Sequence, residues 1–574
     1  MACNSGDSAE PAPAPPAARV CERTDRDDVP APERFTPRWA FEPWISKDIS
    51  TRVDTYEFVD GFKTRGIPVG AVVLDSPWET SYNTFVPSPS RYPDMPGLIR
   101  DMHERGVRVV FWITSLVNET SFDFEPGGDA YSGPAPNLAE GLECNYFVDE
   151  GTTYGWWKGR GASVDFFNPD ARAWWHRLQD PMLQAGLDGW KLDFGESYLY
   201  VDSVRTYEGT KPLQEYSERY YEDFLSYGRM KNGREFVTMV RAWDESYDFK
   251  GRFFAKKEHA PVAWMGDNRR DWIGLADALD HMFVSARAGY PVVGSDIGGY
   301  LDRDDKNLLG PQIPFDTLNF ARWIAAGALT PFMQLHGRAN LTPWTVPDHV
   351  DETVAIYKYW ATLHHALVPF FFSLAEEAHA SPTPASIVVP IGEPATWPND
   401  YRWMLGNAFL VAPILDATGK RDVALPGGAK WIDWWTHASA EGGTTAAIDL
   451  SNDRLRHPLW LREGAIVPLQ IENDVLGLGD VTSGDARTIL VVPGATPSTF
   501  RLHEEEGIVT IGAKVEAGKT SITLSSAPKR TILRIHADAA PSAVSAPFRY
   551  DTTGRAIVVA LAPSTAPVEV VVTP

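Results

Sequence analysis

Four acidic residues close short apolar runs in this chain: Asp75 after 70–74, Asp193 after 189–192, Asp267 after 262–266 and Asp296 after 290–295. The ends of other apolar runs add Trp112, Arg241 and His336. A single Asp among 76 acidic residues is ordinarily a solvated surface group. Four of them breaking segments built for burial is another matter, because an unpaired buried charge costs on the order of several kcal/mol. Ion pairing with Lys191 or Arg241 is the competing structural explanation. Two carboxyl groups in opposed environments can divide labour, one ionised as a nucleophile and one protonated as a general acid. Asp75, Asp296, Arg241 and His336 are suited to hydrogen-bonding a polyol.

These residues need a scaffold that presents strand ends together. Short apolar segments alternate with amphipathic ones from residue 39, the pattern of a parallel α/β fold. Eight strands are expected at 39–44, 70–75, 107–114, 189–194, 236–241, 262–267, 290–297 and 329–335. Val53, Tyr56, Val59 and Phe62 mark an intervening helix with Ser50 or Thr51 as cap. A second helix at 98–105 should stop at Gly106 in a left-handed cap. Eight such units give an α/β (β/α)8 TIM barrel over 36–370, whose functional groups belong at the C-terminal strand ends. Residues 118–162 and 198–234 are insertions over its mouth. Beyond residue 370, short strands at 388–389, 409–413, 422–425, 431–435, 557–561 and 568–572 are separated by Gly and Pro. They give two C-terminal β-sandwich domains, 371–475 and 476–574.

The 574 residues are 44% hydrophobic and 22% charged, a globular composition. A formal charge of −23 argues against nucleic acid and anionic membranes as partners and favours neutral substrates. No apolar stretch is long enough for a transmembrane segment. The three cysteines, Cys3, Cys21 and Cys144, include no metal-binding spacing, and an odd count excludes a fully paired disulfide framework. Residues 1–35 read as a disordered linker or tether, with an Ala/Pro-rich run at 10–18. Cys3 followed by a polar tether resembles the mature end of a bacterial lipoprotein, which would place a lipid anchor at Cys3 and the protein in the cell envelope. A plain unfolded start to a cytoplasmic enzyme fits the same residues.

At the strand ends the chain resembles glycoside hydrolase family 31, the retaining α-glycosidases. Lys191-Leu-Asp-Phe-Gly-Glu196 resembles the family's nucleophile motif in its α-xylosidase-like form, and Trp264-Met-Gly-Asp-Asn268 its acid/base motif. Val73-Leu-Asp-Ser-Pro-Trp78, Arg91-Tyr-Pro-Asp94 and Val110-Phe-Trp-Ile113 resemble its second and third barrel strands. Gly294-Ser-Asp-Ile-Gly-Gly299 resembles the seventh, and Arg322-Trp323 with Pro331-Phe-Met-Gln-Leu-His-Gly337 the eighth. Leu405-Gly-Asn-Ala-Phe-Leu-Val-Ala-Pro413 is similar to a strand of the domain after the barrel. The likeness runs over about 36–470. It implies a retaining exo-acting hydrolase of terminal α-linked sugars, with Asp193 as nucleophile and Asp267 as acid/base. It places Asp75, Trp112, Lys191, Arg241, Trp264, Asp296 and His336 around the sugar, and implies no metal or organic cofactor. A non-catalytic carbohydrate-binding relative, or a transglycosylase or lyase on the same site, are the alternatives.

Two departures bear on substrate. The starch-type members carry Asp-Met-Asn-Glu-Pro at the nucleophile, where this chain has Asp193-Phe-Gly-Glu-Ser197. Trp156-Trp157-Lys-Gly-Arg-Gly161, with Asp165-Phe-Phe-Asn-Pro169, is similar to members that include α-galactosidases. The sugar among gluco, xylo and galacto forms is left open. The β-sandwich that precedes the barrel in the family has no counterpart in the first 35 residues, by truncation or because the chain is a short member. In the first insertion, Trp156, Trp157, Lys158 and Arg160 are candidates to stack on a ring or hold an anionic substituent. The alternative is that the tryptophans pack the loop onto the barrel.

Overall fold

Eight short parallel strands close into a barrel. They are β1 (Trp44–Lys47), β2 (Ala71–Leu74), β3 (Arg108–Ile113), β4 (Gly189–Leu192), β5 (Val237–Arg241), β6 (Val262–Trp264), β7 (Val293–Gly294 and Asp296–Ile297) and β8 (Gln334–Leu335). Each pairs in parallel with its sequence neighbour, and β8 returns to β1 through Gln334 opposite Trp44. Ser295 divides β7, whose first half pairs with β6 and second half with β8. The computed structural model describes residues 21, 29–123, 125, 127–247, 250–304, 310–382 and 385–574.

The strands are buried along nearly all their length because helices cover the outside and side chains fill the inside. Gly189 has a local reason: a Cβ there would lie 2.4 Å from the Val237 carbonyl of β5. The helices start where short polar side chains can take the free N–H groups of a first turn. Thr51 and Asp54 form a reciprocal capping box on α1 (Arg52–Lys63). Asp94 caps α2 (Met95–Glu104), Asn168 caps α3 (Pro169–Gln184), Asp271 caps α5 (Trp272–Arg287) and Asp316 caps α6 (Thr317–Ala328). Between α3 and α5, α4 (Leu213–Asn232) packs against β5. Gly106 has the expected positive φ, 71°. The buried face of α1 is Thr55, Phe58, Val59 and Phe62, while Val53 is 64% exposed, so the apolar stripe begins later than the sequence pattern suggests.

The first strand is also displaced from its expected place. Residues 39–44 are not a strand: Arg38–Phe41 is a 3-10 turn, and β1 starts at Trp44. Pro43 forces Glu42 out of helical geometry and ends the turn there. The strand therefore ends at Lys47 and leads into Asp48.

The two insertions are ordered. The first builds a three-stranded antiparallel sheet from Leu116–Ser121, Gly159–Ser163 and Thr153–Trp156. The second holds the hairpin Ser203–Thr206/Gly209–Pro212, followed by α4. The chain continues through two more helices, Val350–Ala366 and Val368–Ala380, into β-rich structure. There a six-stranded sheet and a two-stranded ribbon are followed by two five-stranded sheets. Ile466–Gln470 pairs with Ala486–Val491, so the switch to the last two sheets comes after Arg462 rather than near residue 475.

The reading of 1–35 as a tether needs amendment at its end. Phe35 is buried against Phe372, and the Arg229 guanidinium binds the carbonyls of Glu33 and Phe35. Cys21 is joined to Cys144 by a disulfide that spans 123 residues and reaches the first insertion, a pairing the cysteine count does not reveal. Cys3 and residues 10–18 lie outside the described residues. Among the described residues no helix is long and apolar enough to cross a membrane.

Candidate active site

The C-terminal ends of the strands open into a cavity of about 300 Å³. Asp75, Trp112, Trp156, Trp157, Lys191, Asp193 and Asp267 line it. Arg241, Trp264, Asp296 and His336 are buried behind that wall.

Arg241, the last residue of β5, organises the centre. Its Nη2 donates to Asp193 Oδ1 at 3.0 Å and to Asp267 Oδ1 at 3.2 Å. Its Nε donates to the same Asp193 oxygen at 3.3 Å, and its Nη1 to Asp244 Oδ2. Two carboxylate oxygens on one nitrogen can be no more than about 6 Å apart. Asp193 also receives the Trp112 indole N–H on Oδ2 at 3.1 Å. Gly266 makes room for this arrangement: its φ is +72°, and a Cβ there would lie 2.3 Å from Asp244 Oδ2. Only glycine at 266 lets Asp244 reach Arg241 beside Asp267.

The two carboxyl groups are displaced in opposite directions. Burial opposes ionisation of Asp193, but the Arg241 charge, with Lys191 and the Trp112 N–H, outweighs it and holds the group below the ordinary carboxylate range. Burial raises Asp267; Arg241 offsets part of this, Asp193 and Asp244 reinforce it, and the net shift is upward. The two carboxyl groups around one guanidinium are thus pushed apart in proton affinity, Asp193 downward and Asp267 upward.

Lys191 anchors a second cluster. Its Nζ lies 2.5 Å from Asp75 Oδ2 and 3.2 Å from His336 Nε2, and 5.5 Å from the centre of the Trp264 ring. His336 is held well below its usual value by burial and by Lys191, so it is neutral and accepts from the ammonium. Asp48, Asp75 and His336 bring three groups of metal-ligand type together, and the Lys191 ammonium is the cation among them. Asp296 accepts from Gln334 at 2.6 Å, and burial pushes it up to about 7.

The aromatic wall comes largely from the first insertion. Trp156 is 3% exposed, parallel to Trp112 at 6.4 Å, and its N–H is held by Asn118 Oδ1 at 2.7 Å. It packs the loop onto the barrel. Trp157 is half-buried and meets Phe194 and Tyr198 at 5.9 and 4.9 Å. Both nearby cations have partners within the protein. Lys158 is buried on Asp123 and Glu125 at 2.7 and 2.6 Å, and Arg160, the exposed residue of the strand Gly159–Ser163, is bound to Thr153.

The family model for the glycosyl hydrolase family 31 TIM-barrel domain matches residues 33–374, and that for the family's C-terminal domain matches 382–467. The chain belongs to glycosyl hydrolase family 31. Among family relatives it is 26% identical over 517 residues to an alpha-xylosidase of Emericella nidulans, covering 86% of this chain and 61% of that one. It is 24% identical to alpha-glucosidase 2 of Bacillus thermoamyloliquefaciens, covering 82% and 58%. The cycloalternan-forming enzyme of Listeria monocytogenes shares the fold, with a TM-score of 0.78 at 20% identity over 95% of this chain and 55% of that one. The chain thus spans about three-fifths of the length of the curated relatives it matches.

Sequence reasoning missed part of this family 31 site. Asp48, Asp244, Glu125, Tyr300 and Arg338 all enter the buried polar network around the cavity. Asp48 follows β1, whose last two residues are Ser46 and Lys47, so it lacks the apolar run that marks Asp75. Asp244 lies three residues after Arg241, past the strand end. Glu125 sits in an insertion with no periodic pattern to mark it.

Proposed function

We propose that this family 31 chain is a retaining, exo-acting α-glycoside hydrolase. The observation that carries the proposal is the placement of Asp193 and Asp267 on one guanidinium nitrogen, in surroundings that shift the two carboxyl groups in opposite directions. Retaining glycosidases hold their carboxyl groups roughly 5–5.5 Å apart, and inverting ones roughly 6.5–9.5 Å. An oxygen-to-oxygen limit of about 6 Å supports the retaining class.

In the first step an Asp193 oxygen attacks the anomeric carbon as the C1–O bond to the leaving group breaks, and Asp267 passes its proton to the departing oxygen. In the second, the Asp267 carboxylate takes a proton from water, whose oxygen attacks C1 and releases Asp193. Arg241 keeps Asp193 ionised for attack, and the Trp112 N–H fixes the direction of one of its oxygens. Asp75, oriented by Lys191, is placed to accept from sugar hydroxyls. A cavity of about 300 Å³ suits one terminal sugar rather than a chain passing through. Relatives named for xylosides and glucosides support an α-linked pentose or hexose as the substrate class.

The test is turnover of nitrophenyl α-glycosides in the gluco, xylo, galacto and sulfoquinovosyl series, with the anomeric form of the product followed by NMR. Release of the α-anomer first is expected. First release of the β-anomer would overturn the retaining assignment. Absence of turnover on every glycoside, by a folded protein, would favour a non-catalytic binding role.

A further inference from the structure

The wall of the cavity carries more negative charge than the two carboxyl groups of the proposed reaction require. Asp75, Glu125, Asp193 and Asp267 face it, against Lys191 and Arg338. Both cations have carboxylates of their own: Lys191 has Asp75 at 2.5 Å, and Arg338 has Glu125 and Asp302 at 3.8 and 3.9 Å. The acids outnumber the cations on this wall, where Arg338 meets its two carboxylates only beyond hydrogen-bond range. Glu125 stands apart from the other three because it comes from the first insertion and not from a barrel strand.

Its surroundings hold it as an anion in a fixed direction. Oε2 accepts from the Lys158 ammonium at 2.6 Å, and Lys158 is steadied in turn by Asp123 at 2.7 Å. Oε1 is 2.9 Å from the Tyr300 hydroxyl, which is also 2.7 Å from Asp48 Oδ2. A phenol has one hydrogen and cannot donate to both acids, so one of the two carboxyl groups supplies its own. Burial, with Asp75 and Glu125 nearby, raises Asp48 well above its ordinary value. Burial works against Glu125 too, but Lys158 and Arg338 outweigh it and keep that group low. The shared Tyr300 hydroxyl therefore ties Glu125 to Asp48 and fixes the direction of Oε1. A carboxylate has about four lone-pair sites. Lys158 and Tyr300 use two of them, and Glu125 still lines the cavity.

We propose that Glu125 is a specificity-determining carboxylate that commits the site to neutral sugars, accepting a hydroxyl hydrogen bond from the bound ring and repelling a carboxylate or sulfonate in the same place. The proposal rests on the glycosidase reading above and narrows its substrate class. Two features of the network separate it from simple loop packing. The Lys158–Asp123 pair remains balanced without Glu125. Asp48, which the packing also uses, stands behind Tyr300 and does not line the cavity.

The experiment compares inhibition constants against the aryl α-glycoside that turns over best. The probes are glucose with glucuronate and galactose with galacturonate, used on the full chain and on its Glu125→Gln and Glu125→Asp variants. In the wild type the uronate of the better-bound sugar is expected to bind at least 30-fold more weakly than its parent. Glu125→Gln removes the charge at constant shape, so this gap should narrow at least tenfold while the parent sugar itself binds more weakly. Glu125→Asp keeps the charge but withdraws it, so it should weaken the parent sugar and preserve most of the gap. Wild-type binding of a uronate within threefold of its parent would overturn the proposal, even if neither variant folds. So would an unchanged gap in a folded Glu125→Gln, with only the melting temperature lowered. A wild type that turns over no glycoside and binds none of the four probes would sink the glycosidase reading itself. Turnover without discrimination against the uronates would sink only the role of Glu125.

Discussion

Replacing Arg241 by lysine keeps one positive charge in the site and removes the planar fork that distributes it. The guanidinium reaches Asp193, Asp244 and Asp267 through three nitrogens. An ammonium on a shorter stem presents one nitrogen and cannot meet all three carboxylates in those directions. Losing two charge-assisted hydrogen bonds, each worth about 1.5–3 kcal/mol, removes roughly 3–6 kcal/mol. Where the lost bonds orient the nucleophile, that is a fall in kcat/KM of about 100-fold to 10,000-fold. The same bonds neutralise carboxylates that are buried in the folded state, and breaking a buried pair is strongly destabilising. The melting temperature should therefore fall as well, by on the order of 5 °C or more. That differs from the expectation for an arginine that serves substrate alone. A third signature is independent of stability. Arg241 is the largest influence lowering Asp193 against burial, so the acid limb of the kcat/KM profile should move to higher pH in the variant. The measurements are kcat/KM on an aryl α-glycoside across pH and thermal unfolding by calorimetry. A variant with kcat/KM within tenfold of wild type and an unmoved acid limb would refute the reasoning.

Asp267 is raised by burial and by its acidic neighbours, so its proton should persist to higher pH than in an ordinary carboxylic acid, with activity falling as pH climbs through that value. Asp267→Asn should remove this alkaline limb and cut kcat/KM sharply for alkyl glycosides and disaccharides, whose leaving groups need a proton, yet lower it far less for nitrophenyl glycosides and glycosyl fluorides, whose leaving groups do not; equal loss on both kinds would count against a proton-donor role. Trp156→Ala should lower the melting temperature and reduce all substrates alike, because the ring is buried and tied to Asn118, whereas Trp157→Ala should reorder the substrate ranking at near-native stability. The opposite pattern, measured by unfolding and a glycoside panel, would exchange their roles. The Cys21–Cys144 bridge joins residues 123 positions apart, and such bonds persist in oxidising compartments. Protein isolated without reductant and then denatured should show one free thiol and three after reduction, and three at the outset would contradict the bridge.

Several strand ends were legible because a largely apolar segment stops at a polar residue, and the barrel places those stops on one face. Asp75, Asp193 and Asp267 were found in that way. Asp48 was missed because Ser46 and Lys47 precede it, and the apolar residues Trp39, Ala40 and Phe41 belong to a 3-10 turn that only Pro43 hints at. Arg241 was read as a clamp on substrate, and its three carboxylates show why position at a strand end cannot separate that from a counter-ion. The balance depends on Asp244, which reaches Arg241 only because Gly266 has no side chain. The insertions were visible as insertions, but not their interior. Lys158 meets Asp123 and Glu125 across more than thirty residues, and Tyr300 meets Asp48 across 252, so no local periodicity records these pairs.

The central claim is that Asp193 forms a covalent bond to the sugar. A 5-fluoro-α-glycosyl fluoride of the preferred sugar slows the second step more than the first and lets the glycosyl-enzyme accumulate. Intact mass spectrometry should show one added glycosyl unit per chain, and peptide mapping should place it on Asp193, with no label in Asp193→Ala. A label on Asp267, Asp75 or any other residue, or steady turnover with the label never found on Asp193, would contradict the account.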